Sequence, residues 1–102
     1  MIEAGSKIGD RSKIHGHAQI LSGVVLEEDC VVGHATILGG DPQDISFDSS
    51  ISSGVLVGSG SVFREHVTVH RSTSEGGQTV IGKKNFFMAG SHVGHEEILL
   101  SN

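Results

Sequence analysis

IEAGSKIGDRSKIHGHAQILSGVVLEEDCVVGHATIL, residues 2–38, carries an aliphatic side chain at every sixth position: Ile2, Ile8, Ile14, Ile20, Leu26, Val32 and Leu38. After an interruption come Ile51, Val57, Phe63 and Val69, and after a second come Ile81, Phe87, Val93 and Leu99. Neither a helix of 3.6 residues per turn nor a simple alternating strand keeps a strict six over such a span. A short-period parallel β-helix does, because three hexads close one triangular coil and each hexad forms one side.

The rest of each hexad agrees with that reading. Four residues after the aliphatic position stand Ser6, Ser12, Ala18, Val24, Cys30 and Thr36, then Val55, Ser61, Val67 and Ser91. These side chains are small or β-branched and lie two residues before the next aliphatic one, so both face inward on extended backbone. Gly9, Gly33, Gly58, Gly82 and Gly94 directly follow aliphatic residues, where the chain turns a corner and a missing Cβ helps. The sequence therefore predicts an all-β chain, a parallel β-helix of hexapeptide repeats forming one domain over 1–102.

Two segments interrupt the coils. Residues 39–50, GGDPQDISFDSS, shift the phase by one, and residues 71–80, RSTSEGGQTV, keep the phase but are polar and glycine-rich. Both are expected to be loops extruded from corners, where solenoids build binding surfaces or clasp a neighbouring subunit. A net charge of −5 argues against nucleic acid or an anionic membrane surface as the partner. Cys30 is the sole cysteine, which excludes an intrachain disulfide, and its inward position makes it a core filler. There is no signal peptide pattern and no integral membrane segment, so the expected location is cytoplasmic.

Seven histidines supply the chemistry. His15, His17 and His34 sit in the early coils and read as solvated corner or outer-face residues. His66, His70, His92 and His95 crowd around the second loop. His92 lies between inward Ser91 and Val93 and so faces out, while His70 and His95 fall at corners. Outward imidazoles of this kind admit three readings: a general base oriented by a carboxylate such as Glu96, a zinc site of three imidazoles, or a polar face with no site.

FREHVTVHRSTSEGGQTVIGKKNFFMAGSHVGHE, residues 63–96, resembles the central region of the UDP-N-acetylglucosamine O-acyltransferases that begin lipid A synthesis. Thr68-Val69-His70-Arg71, Glu75-Gly76-Gly77, Ile81-Gly82, Asn85, Met88, His92, His95 and Glu96 stand in register with that family's pattern. Gln43-Asp44 stands where the family carries a Gln-Asp pair in its first loop.

The resemblance implies a left-handed parallel β-helix and a homotrimer with active sites between subunits. It implies transfer of a 3-hydroxyacyl chain from acyl carrier protein to the 3-hydroxyl of a UDP-sugar, with no cofactor and no metal. His95 would be the catalytic base and Glu96 the acid that orients it. Asp44, Gln43, His70 and His92 would line the sugar-nucleotide site.

The sequence also departs from the family. Ser46 replaces the lysine two residues beyond the Gln-Asp pair, and the first loop is shorter. Glu97 falls where a small inward residue is expected, so the coil is expected to end or distort there. The family's later coils, with their oxyanion amide, and its helical C-terminal domain are absent, giving a β-helix truncated at the C-terminus and expected to be inactive alone. Two alternative functions are a non-catalytic β-helical assembly module and a γ-carbonic-anhydrase-like zinc enzyme.

Overall fold

The computed structural model describes residues 1–94 and the backbone of Ile98 and Leu99. Within them the strands follow the hexads. One coil comprises β1 (Lys7–Ile8), β2 (Lys13–Ile14) and β3 (Gln19–Ile20), and the next β4 (Val24–Leu26), β5 (Val31–Val32) and β6 (Ile37–Gly40). A third comprises β7 (Gly54–Val57), β8 (Val62–Phe63) and β9 (Thr68–His70). A fourth comprises β10 (Gln78–Ile81), β11 (Phe86–Phe87) and β12 (His92–Val93), followed by β13 (Ile98–Leu99). Every pairing between these strands is parallel, in three sheets ordered β1-β4-β7-β10-β13, β2-β5-β8-β11 and β3-β6-β9-β12. Each sheet is one wall of a three-sided prism.

The register shows why a six-residue period suffices. Ile14, Val32, Phe63 and Phe87 stack in one line through the second wall, and Ile20, Leu38, Val69 and Val93 through the third. Phe63 is fully buried and lies flat on Phe87, ring centres 4.8 Å apart and planes 5° from parallel. The small inward positions do a second job. Thr36 Oγ1 donates to the Arg64 carbonyl (2.7 Å) and accepts from the Val67 amide (3.2 Å), and Ser61 Oγ does the same between Gly82 O and Asn85 N. Backbone groups at the corners lie outside the strand ladders, and these inward hydroxyls satisfy them. Among the described residues no buried side-chain nitrogen or oxygen lacks a partner.

The corners turn differently from the sequence expectation. The left-handed residue is the third after each aliphatic position: Gly5, Arg11, His17, Gly23, Asp29, Ala35, Gly60, His66, Lys84 and Gly90 all have φ between 57° and 89°. The glycines directly after the aliphatic residue serve another purpose. A Cβ at Gly9, Gly33 or Gly58 would come within 2.5 to 2.7 Å of backbone in the next coil. They permit close stacking of coils, and the turn itself is made two residues later.

The loops also differ in extent. The pairing of β6 with β9 runs on to Gly40 opposite His70, and β7 begins at Gly54, so the first connection spans 41–53. Ile51, counted in the hexad series, lies in this loop half-buried, because Val57 is the residue that pairs with Leu26. The second connection is shorter, 71–77, since β10 starts at Gln78. No helix among the described residues is long and apolar enough to cross a membrane.

Candidate functional site

Both loops leave the prism at the same corner, between the third wall and the first, and they bond to each other there. Gly76 N donates to Ser52 O (2.6 Å), Ser52 N to Glu75 Oε2 (3.2 Å), and Ser53 Oγ to Ser72 O (2.6 Å). Inside the first loop, Asp44 Oδ1 accepts from the Ser46 amide (2.9 Å) and the Ser46 hydroxyl (2.7 Å). Asp48 repeats this turn with Ser50. Aspartate in such turns stands in for a backbone acceptor two residues ahead. The Ser50 hydroxyl and amide hold the Asp48 carboxyl below its ordinary pKa of 3.8.

Arg71 organises this corner, although the sequence singled it out only as part of a motif. Its Nε donates to Asp41 Oδ1 (3.0 Å), Nη2 to Ser49 O (2.9 Å), and Nη1 to Ser53 Oγ (3.2 Å) and Ile51 O. The guanidinium lies 4.9 Å from the centre of the Phe47 ring. With only 11% of its side chain exposed, Arg71 is the interior of the loop rather than its surface.

His70 and His92 sit beside this corner on the third wall. Their rings meet edge to face with centres 4.5 Å apart, and Thr68 Oγ1 lies 2.7 Å from His92 Nδ1. His92 pairs in register with Thr68 on the outer face of that wall and is exposed, while His70 is half-buried next to Gly40. Gln43 and Asp44 are exposed on the loop that starts from this same place. His95 and Glu96 lie outside the described residues, as does Glu97.

His66 does not join this group. It occupies the left-handed corner between the second and third walls, where its amide donates to His34 O at 3.0 Å. His15 and His34 meet nearby, ring centres 5.1 Å apart and planes tilted by 40°. Nearness in sequence put His66 with His70, but one hexad is a whole side of the prism. Among the described residues no three His, Cys, Asp or Glu side chains converge to hold a metal ion.

A cleft of about 420 Å³ lies under the first loop, lined among others by Glu3, Leu21, Ser22, Asp41, Ile51 and Arg71. It includes none of Gln43, Asp44, His70 or His92. Those four present an open polar surface on a single chain.

Fold and corner together define a hexapeptide-repeat, left-handed parallel β-helix protein with a loop-flanked histidine pair on one wall. Known proteins narrow this further. Over 102 residues the chain is 40% identical to an acyl-[acyl-carrier-protein]–UDP-N-acetylglucosamine O-acyltransferase of Campylobacter lari, covering 99% of this chain and 39% of that protein. The corresponding protein of Thermodesulfovibrio yellowstonii is 37% identical over 91 residues, 88% of this chain and 35% of its own. A solved UDP-N-acetylglucosamine acyltransferase from Bacteroides fragilis superposes with a TM-score of 0.80 at 28% identity, covering 92% of this chain and 44% of that one. The Campylobacter jejuni enzyme gives 0.67 at 27% identity, over 93% and 44%. The chain spans about two-fifths of the length of the curated relatives it matches. No protein-family model matches it.

Proposed function

We propose that this chain is the N-terminal part of an acyltransferase that moves a 3-hydroxyacyl group from acyl carrier protein to the 3-hydroxyl of UDP-N-acetylglucosamine, opening lipid A synthesis. The observation that carries the reading is the His70–His92 pair beside the loop bearing Gln43 and Asp44. It is supported by the relatives' sequences, whose similarity extends over 88–99% of this chain. In this reading the four residues bind the sugar nucleotide through hydroxyl and amide contacts. The His95 imidazole takes the proton of the sugar 3-hydroxyl, with Glu96 orienting the ring. The oxygen then attacks the thioester carbonyl, and the tetrahedral intermediate collapses as the carrier's sulfur leaves and takes up a proton.

The assembly is a homotrimer in the cytoplasm, with the site completed by a second copy. Its support is the pattern on the outer walls. Val25, Leu56 and Val80 face outward from the first wall, and Val31, Val62 and Phe86 from the second. Phe86 and nearby Met88 are 57% and 72% exposed, more apolar surface than a thin solenoid leaves wet without a partner.

Two measurements test the proposal. Titration with UDP-N-acetylglucosamine should perturb the NMR resonances of Gln43, Asp44, His70 and His92; saturable shifts confined to other residues would overturn the substrate assignment. Grafting residues 1–102 onto the remainder of the Campylobacter lari relative should give an enzyme that acylates the nucleotide. His95→Ala should abolish that transfer while nucleotide binding persists, and full turnover in the variant would remove the base.

A further inference from the structure

We propose that Arg71 is the positioning residue of this site, a clamp that fixes the loop presenting Gln43 and Asp44. The identity of the ligand rests on the acyltransferase reading, whereas the clamp itself rests on geometry alone. A thirteen-residue connection between coils, 41–53, has few hydrophobic anchors. Pro42 is buried and Phe47 and Ile51 are half-buried; Ile45, one residue beyond Asp44, is fully exposed. Loops of this composition sample many shapes unless something ties them down.

Here the ties converge on one guanidinium. It reaches Asp41 at the start of the loop, Ser49 O and Ile51 O in its return limb, Ser53 Oγ at its end, and the Phe47 ring at its centre. The Arg71 amide also donates to Gly40 O at 2.9 Å, so the clamp is anchored to the wall at both levels. Three separate nitrogens are used in three directions. Lysine offers a single ammonium on a flexible stem and cannot reproduce that fork.

The position in the chain gives the clamp its significance. Arg71 directly follows His70, whose carbonyl accepts from Thr79 Oγ1 at 2.8 Å at the base of the second loop. The strand that carries one candidate binding histidine therefore also carries the side chain that shapes the opposite lip. Asp44 is held by its own turn with Ser46, and Arg71 holds the limbs on which that turn rides.

The experiment compares wild type, Arg71→Ala and Arg71→Lys by amide hydrogen exchange and by titration with UDP-N-acetylglucosamine. Arg71→Ala should speed exchange at the Phe47 and Ile51 amides, which are hydrogen-bonded within the loop, at least tenfold. Exchange at Val31, Ile37 and Val62 in the walls should stay unchanged, and Arg71→Lys should restore only part of the loop protection. Nucleotide affinity should fall at least tenfold in Arg71→Ala, with the His70 and His92 ring resonances of the free protein unmoved. Unaltered loop exchange would overturn the clamp. So would equal acceleration in loop and walls, the mark of a general structural role. If wild type binds no nucleotide, the substrate reading falls, and the exchange comparison still decides the clamp.

Discussion

His70 and His92 touch edge to face across successive coils, their ring centres 4.5 Å apart, and Thr68 Oγ1 fixes the second ring through Nδ1 at 2.7 Å. The hydroxyl donates to Nδ1 or accepts from it according to the tautomer, so it fixes the ring's orientation and leaves Nε2 directed elsewhere. Thr68→Val keeps the β-branched shape that suits a strand and removes the hydrogen bond. The Nδ1 resonance of His92 in long-range proton–nitrogen spectra is expected to move, with little change in thermal midpoint. An unchanged ring spectrum would show that the contact does not hold the ring.

The two kinds of corner residue should respond oppositely to substitution. At Gly33 a new Cβ would meet Arg64 backbone at 2.7 Å, so Gly33→Ala forces coils apart. Overpacking of this kind costs about 1–3 kcal/mol, measurable as a lower urea midpoint. Ala35 holds φ at 59°. A left-handed L-residue costs about 1–2 kcal/mol, against about 0.5–1 kcal/mol for glycine's extra chain entropy. Ala35→Gly is therefore expected to be neutral or stabilising, and a loss as large as that of Gly33→Ala would contradict the assignment of roles.

Among the described residues Phe63 is the largest fully buried side chain, stacked on Phe87 and in register with Val32. Phe63→Ala should cost about 3–5 kcal/mol. Phe87→Ala should cost less, because that ring is only partly covered. Denaturant titration of both variants checks the order.

The pH response has two ends. Burial pushes the Cys30 thiol above its usual 9.0, and Sγ donates to Gly58 O at 3.4 Å. A folded-state pKa above the unfolded value means that this group's contribution is intact below about 9 and lost as pH rises through the folded value. Native protein at neutral pH should accordingly resist thiol alkylation and react only on unfolding. Asp48 behaves in the reverse sense. Its carboxyl is depressed, so the Ser50 turn is intact above about 3.8 and loosens as pH falls through the lower folded value. Protection of the Ser50 amide, its exchange rate set against the intrinsic rate at each pH and followed between pH 5 and pH 2 (about 3 units spanning the transition), should fall toward the acid end.

The amino-acid order alone determined the coils, because the alternation of inward and outward side chains is local: Ile20, Leu38, Val69 and Val93 announce their wall by phase. The same phase turned His92 outward, and the family motif singled out Gln43, Asp44 and His70. Only the tertiary structure separated His66 from His70, ended the first loop at residue 53 instead of 50, and made Arg71 the interior of that loop. Those facts depend on which residues of different coils come to lie side by side. Pairings thirty-one residues apart between the second and third coils, such as Leu26 with Val57, and twenty-four apart between the third and fourth, such as Val57 with Ile81, are set by loop length. A six-residue period carries the direction of each side chain but not its neighbour on the next coil.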